Sequence, residues 1–455
     1  MNENPLGYEK ISKLLRSFAV PSITATLVSS LYNIVDQVFI GQGVGYLGNA
    51  ATNVSYPLST ICLAISLLIG IGSASRFSIC LGRGDTDQAA KIAGNGVTLM
   101  VLAGILYLVL GEMLLTPMLR IFGATTEVMP YAQSYASIIL IGMPFLILTN
   151  GISNLIRADG SPKYSMICMV AGAVVNTILD PIFIFVFQWG MFGAALATIL
   201  GQILSFLLAI RYLWAFRTIT LEKECFRPDW RDGLHTLSMG ISSSVNQIAI
   251  TIVQVVLNNS LTYYGAMSVY GEDIPLAACG IVMKTNAILL SIIVGISQGV
   301  QPIIGFNYGA RKYDRVKQAY LLAIRWNFVI SAVGFLLFQL FPRPIISIFG
   351  SGEELYFDFA VLFMRTFLFM VIVNGVQVLS SSFFTAIGKA LKGLLLSLTR
   401  QVFFLIPLIL ILPLWLGIFG VLLAGPIADF IAFVVSVLLV KKEFSILKEQ
   451  ADVIS

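Results

Sequence analysis

The sequence predicts an all-α membrane protein: twelve transmembrane helices in two pseudo-symmetric six-helix bundles. Three observations carry that reading. Of 455 residues, 57% are hydrophobic and 11% charged, with a mean hydropathy of +0.89, outside the range of an ordinary soluble chain. Twelve apolar stretches reach the length of about 20 residues that a bilayer-spanning helix needs. They are 15–40, 51–75, 93–116, 131–156, 163–187, 190–213, 237–264, 276–300, 318–341, 355–385, 393–415 and 418–440. Finally, the chain repeats itself at an offset of 227 residues. Leu81-Gly82-Arg83-Gly84-Asp85 recurs as Tyr308-Gly309-Ala310-Arg311-Lys312, Ile121-Phe122-Gly123 as Ile348-Phe349-Gly350, and Gly190-Met191-Phe192-Gly193 as Gly417-Ile418-Phe419-Gly420. Internal repeats with substrate between them are the usual build of secondary transporters.

Each half therefore holds six spans: residues 1–213 form an N-lobe and 237–440 a C-lobe. Residues 214–236 join them as a mixed-charge, solvated linker, and 441–455 form a tail. Six is an even number, so both halves enter the membrane from the same side and the repeat is parallel, about an axis along the membrane normal. Lys and Arg set the expected orientation. Twenty-two of the 28 lie on one side, and only Arg120 and Arg343 on the other. Lys284, Arg325, Arg365 and Arg400 remain in or near spans. The positive-inside rule places both termini and the linker in the cytoplasm. The net charge of +5 is this topology signal and calls for no nucleic-acid partner.

Residues 1–16 are polar and the first apolar run is a full span, so no cleavable signal peptide is expected. In span 1, Ser22, Thr26, Ser29, Asn33 and Asp36 fall on one helix face, and span 7 answers with Ser243, Gln247, Thr251, Gln254 and Asn258. A polar stripe in lipid must face other helices or a wet cavity. Asp36 is the first candidate site residue, since a carboxylate at membrane depth pairs, binds a cation or takes up a proton. Span 5 supplies the second, Asp180. Asn176 lies on the same face, and Pro181 frees the carbonyl of Thr177. These hard oxygen ligands suit Na⁺ as well as a proton.

The repeat is its own control. At an offset of 221, Asp36 becomes Leu257; at 227, Asn176 becomes Phe403, Asp180 becomes Pro407 and Thr198 becomes Gly425. Groups lost from one half do work needed once, so the coupling-ion site is expected in the first half. In the second half, Arg400 and Asp429 read as a structural pair, Lys284 as a weak site candidate, and Arg325 as a side chain snorkelling to the interface.

Other chemistry finds little support. Gly41-Gln42-Gly43-Val44-Gly45 follows no strand and reads as an external turn, not a dinucleotide fingerprint. Gly82-Arg83-Gly84-Asp85 sits in a basic loop, unlike a protease motif. His235 is the only histidine, and the five cysteines lack metal-type spacing. There is no phosphate-binding loop for ATP.

Over nearly its whole length the chain resembles the multidrug and toxic compound extrusion (MATE) family. Pro21 with Asp36, Asn176…Asp180-Pro181, and the Gln301-Pro302…Gly305-Phe306-Asn307-Tyr308-Gly309-Ala310 run carry the resemblance. It implies a MATE-like fold and drug/cation antiport, with Asp36, Asn176, Asp180 and Thr198 matching the family's first-lobe cation site. Gln247 and Asn374 stand where the NorM-like branch has further acids, which points to the DinF-like branch, near the MepA-type bacterial pumps. The expected activity is H⁺- or Na⁺-coupled export of amphipathic, mostly cationic compounds across a bacterial cytoplasmic membrane, by a monomer without cofactor or enzymatic activity. Asn33, Gln247, Gln254, Lys284, Asn374 and Gln377 are the candidate substrate contacts. The rival reading is a lipid-linked oligosaccharide flippase of the same superfamily, which would want a basic cavity to hold a pyrophosphate.

Overall fold

The computed structural model describes residues 4–348 and 353–452. The first half consists of α1 (Ile11–Gly43), α2 (Tyr46–Arg83), α3 (Thr86–Met113), α4 (Met129–Ala158), α5 (Pro162–Pro181) and α6 (Gly190–Arg211). The second consists of α7 (Trp230–Ala266), α8 (Asp273–Gly309), α9 (Tyr313–Leu340), α10 in two pieces (Glu354–Phe367 and Val371–Ala386), α11 (Ala390–Leu398, running on to Leu416) and α12 (Ile418–Asp452). Eleven of these are long and apolar enough to cross a membrane singly. The two pieces of α10, bent by 50°, form the twelfth span. The expected fold class is therefore what the chain adopts.

Most helices outrun the apolar stretches read from the sequence, and three boundaries differ in kind. Gly41-Gln42-Gly43 completes α1 instead of forming a turn, and the turn follows at Gly45, whose φ of 87° is open to glycine. Helix α7 starts at Trp230 because Asp229 caps it, accepting from the N–H groups of Arg231 (2.9 Å) and Asp232 (3.2 Å). Helix α12 runs unbroken through the expected tail to Asp452, and 453–455 lie outside the described residues.

The repeat is visible in the backbone itself. Helix α2 ends with Gly84 left-handed (φ 82°), Gly84 N–H on Leu81 O and Asp85 N–H on Cys80 O. Helix α8 ends the same way 227 residues later, with Arg311 left-handed (φ 57°), its N–H on Tyr308 O and Lys312 N–H on Asn307 O. An arginine holds there a conformation that costs a non-glycine residue about 1 kcal/mol. Gly190 (φ 54°) and Gly417 (φ 56°) match likewise. Of the Ile348-Phe349-Gly350 copy, Phe349 and Gly350 lie outside the described residues.

The linker is not a free solvated connector. Thr98 on α3 donates to Phe226 O (2.8 Å), and Asn95 donates to Asp229 O (3.0 Å). At the turn after α4, Asp159 accepts from Tyr212 Oη (2.7 Å), from the N–H groups of Arg217 (2.8 Å) and Thr218 (3.1 Å), and from the Thr218 hydroxyl. Burial pushes the Asp159 carboxyl above the usual carboxylate range, while those four donors pull it down. The charges of the linker hid this packing, because the contacts run through backbone groups.

The halves meet along α1–α8 and α2–α7, two contacts related by the repeat, with α2 also lying on α8. They meet at the end that carries the basic loops, which we call the basic end. A Cβ on Gly240 would lie 1.8 Å from Leu68 O, one on Gly72 2.1 Å from Thr236 O, and one on Gly309 2.1 Å from Ile79 O. Backbones touch there, with no room for a side chain. Arg76 fastens the seam by donating to Asp232 O (2.7 Å), Asp232 Oδ1 (2.9 Å) and Thr236 Oγ1 (3.0 Å). The chain's beginning straps the halves as well. Asn307 and Arg315 both donate to Leu6 O, and Lys312 donates to Gly7 O. Among the described residues, the hydrogen bond between the halves farthest from the basic end is Ser30–Ser291 (2.5 Å). Beyond it no hydrogen bond among the described residues links the two halves.

Gly240→Ala should therefore break the seam, since Leu68 O is backbone and cannot give way. The expected cost is about 1–3 kcal/mol in thermal unfolding. Half-buried Cys80, next to the Ile79–Gly309 contact, should react faster with a thiol reagent in a background lacking the other cysteines. Unchanged melting and labelling would show that the seam tolerates the methyl.

Candidate functional site

The polar stripe of α1 divides into two parts. Near the basic end it is glue: Thr26 Oγ1 donates to Ser291 O (2.8 Å), and Ser30 meets the Ser291 hydroxyl. Farther along, Ser29, Asn33 and Asp36 line a cavity of about 260 Å³ inside the first half. Both readings of the stripe hold, on different turns of one helix.

The structure brings Asp36, Asn176, Asp180 and Thr198 together. Helices α5 and α6 approach so closely that a Cβ on either Gly172 or Gly201 would lie 2.6 Å from the other's carbonyl oxygen. This lets Asn176 bridge its neighbours. With its amide oriented to satisfy both ends, it donates to Asp180 Oδ2 (3.2 Å) and accepts from Thr198 Oγ1 (3.2 Å). Asp180 is fully buried behind it, and its carboxyl group lies within hydrogen-bonding reach of that of Asp36. Asp36 is 9% exposed, and its Oδ1 is buried without a partner. Two carboxylates at this separation need a proton or a cation between them. Pro181 follows Asp180, brings no N–H to the Thr177 carbonyl, and leads into a π-helical turn, Ile182–Val186. Among the described residues, no cluster of three His, Cys, Asp or Glu exists, so the site is one of mixed neutral and acidic oxygens.

Sequence reasoning missed much of the wall. Tyr32 and Tyr135 line the cavity beside the acids, and Thr149, Asn150, Gln202 and Ser205 extend it towards the basic end. Thr149 Oγ1 and Gln202 Oε1 are buried there without protein partners. One signal was available: Thr198, Gln202 and Ser205 are spaced by four and three, a second polar stripe on one face of α6.

The other candidates scatter. Gln247 reaches the cavity from α7, the one contribution of the second half to its lining. Gln254 donates to Asn258 Oδ1 (2.9 Å) within α7. Lys284 is exposed, without an ion pair among the described residues. Asn374 and Gln377 are buried in helix packing, with Gln377 donating to Leu396 O (3.2 Å), and neither lines this cavity. Arg400 and Asp429 form the expected pair (2.5 Å).

Comparison with known proteins gives the family and the fold. The MatE family model matches residues 21–182 and 243–411, one stretch in each half. The chain is 26% identical over 403 residues to the probable multidrug resistance protein YoeA of Bacillus subtilis, covering 84% of each chain. It is 26% identical over 453 residues to the multidrug export protein MepA of Staphylococcus saprophyticus, covering 97% of this chain and 96% of that one. A solved structure described as the outward-facing conformation of a multidrug resistance MATE family transporter of the MOP superfamily superposes with a TM-score of 0.91. It shares 23% identity, over 99% of both chains.

Gly201→Ala should drive α5 from α6 and separate Asn176 from Thr198. We expect a loss of about 1–3 kcal/mol in thermal unfolding. Gly280→Ala is the matched control, since nothing lies within 4 Å of a Cβ there. Equal melting of the two variants would refute the tight α5–α6 contact.

Proposed function

The chain belongs to the MatE family of membrane transporters, and we propose that it is a multidrug efflux antiporter. In this reading it exports amphipathic, mostly cationic compounds in exchange for H⁺ or Na⁺. The observation that carries the proposal is the Asp36–Asp180 pair with Asn176 and Thr198, set beside a cavity lined almost wholly by the first half. The repeat puts Leu257, Phe403, Pro407 and Gly425 at the counterpart positions. Loss of the whole set from one copy of a shared scaffold fits a single ion-binding task.

The basic end faces the cytoplasm in this proposal, with both termini there, in the cytoplasmic membrane of a bacterium. The seam would then be shut on the inside, and the halves parted on the outside. Ion uptake at Asp36 and Asp180 from outside would favour release of the compound, and ion loss on the inside would restore its binding. Such exchange requires only that the two ligands exclude each other or favour opposite states.

Magnitudes explain the use of two acids. One proton exchanged for one monovalent cation is electroneutral, and a one-unit pH gradient supplies about 1.4 kcal/mol. A second proton adds about 1.4 kcal/mol, plus about 2.3 kcal/mol per 100 mV for the net charge moved. The total, about 5 kcal/mol, sustains a gradient of several thousandfold.

Proteoliposomes preloaded with a cationic dye test the proposal, under a pH or a Na⁺ gradient imposed separately. Dye movement driven by one gradient should fall at least tenfold in Asp36→Asn and in Asp180→Asn. Movement by the wild-type protein under neither gradient would sink the antiport reading. Full transport by both variants would remove the acids from the coupling step.

A further inference from the structure

The repeat gives both halves the same helix face at the basic end, and among the described residues the chain folds back over only one of the two. In the first half, the chain turns after Arg211 and folds back over α3. Its Cys225 carbonyl oxygen lies so close to α3 that a Cβ on Gly94 would sit 2.4 Å from it. Asn95 and Thr98 bond to this folded-back segment, and nearer the start of α3 Thr86, Asp87 and Ala90 line a hollow of about 840 Å³ together with it. The counterparts of Thr86, Asp87 and Ala90 at the 227-residue offset are Tyr313, Asp314 and Lys317 of α9, and Gly94 corresponds to Leu321. Helix α12 does not turn back as the chain does after α6; it runs straight on. A groove of about 800 Å³ is left between α9 and α12, floored by Val376, Tyr320 and Phe444.

This groove has two chemically distinct parts. Its deeper part is apolar, with Leu321, Phe433 and Val437 at the depth of the membrane spans. Leu321 and Val437 are each 41% exposed, more than a packed interior allows. Its rim carries Lys317, Lys441 and Lys448, all exposed and none in an ion pair among the described residues. Lys441 and Lys448 are seven residues apart and share a helix face. Asp314 is the one acid among these lining residues, so the rim holds three cations against one anion.

We propose that this groove binds an anionic phospholipid from the leaflet at the basic end. Its phosphate sits on the three lysines, and one acyl chain lies along Leu321 and Val437. A soluble anion would use the rim and leave the apolar part in contact with bulk lipid. A zwitterionic lipid would leave the lysine charges unbalanced. Basic pockets between transmembrane helices, at headgroup depth, select anionic headgroups in this way. The lipid would do for the second half what residues 216–229 do for the first. The proposal depends on the membrane location of the chain, and not on which ion or compound is transported.

Native mass spectrometry of the detergent-purified protein tests it, with phosphatidylglycerol titrated against phosphatidylcholine of the same acyl chains. One phosphatidylglycerol should remain bound in preference. The triple variant Lys317→Ala, Lys441→Ala, Lys448→Ala should weaken it about a hundredfold, roughly fivefold per lysine. The corresponding triple arginine variant should keep it. Equal affinity for both lipids, or undiminished phosphatidylglycerol binding by the alanine variant, overturns the proposal. Should the alanine variant not fold, Leu321→Trp fills the apolar part and leaves the lysines in place. Loss of the lipid there supports the site, and unchanged binding overturns it.

Discussion

Everything else in this molecule hangs on backbone touching backbone across the seam between the two halves. Gly72 and Gly240, and Gly309 against Ile79, let α2 meet α7 and α8 with no side chain between them. In lipid there is little hydrophobic gain from pairing one apolar helix with another, so close van der Waals approach and hydrogen bonds must hold the halves together. That is why small residues, Arg76, and the strap at Leu6 and Gly7 gather at one end. Where they stop, near Ser30 and Ser291, hydrogen bonding between the halves stops too.

Within this frame the two halves keep the same architecture and differ in content. Both end their second helix in the same left-handed cap, although one copy has replaced glycine with Arg311. Both tie down the turn into their fifth helix with a buried carboxylate, by opposite routes. In the first half the acid is Asp159 in the turn itself, gripped by the chain after α6. In the second it is Glu443 on α12, fully buried, gripping Lys389 of the turn and Lys392 in the first turn of α11. Among the described residues, only the first half places two acids side by side deep among its helices. Conformation has therefore outlasted chemistry across the repeat, and the chemistry that remains single is concentrated around Asp36.

Much of this was legible in the sequence, because membrane proteins write their architecture in composition. Lipid forces apolar runs to be helices, and the repeat supplied the division into halves. The Asp36, Asn176 and Asp180 grouping was readable for a related reason: polar groups in apolar runs have few innocuous explanations. What stayed hidden was set by packing between helices. That Gly172 and Gly201 bring α5 against α6, and so give Asn176 access to Thr198, has no signature beyond two glycines among many. Asn374 and Gln377 looked like cavity residues because they are polar, but both are buried away from the cavity beside Asp36, and Gln377 donates to Leu396 O inside the second half. The linker misled for the converse reason. Its charge suggested a solvated segment, while its backbone carbonyls at Phe226 and Asp229 and the carboxylate of Asp232 made contacts with the helices.

That folded-back linker bears on how the protein is made. Translation delivers the chain in order, and the six helices of the first half are complete at Arg211. Their basic end is not, because Asn95, Thr98 and Asp159 find their partners among residues 217–229. The first half thus becomes a finished folding unit only as α7 begins to leave the ribosome, with Asp232 already carrying the carboxylate that Arg76 grips. Completing one half and recruiting the other are successive moments of one event, and a chain stopped at Arg211 would lack the partners for both.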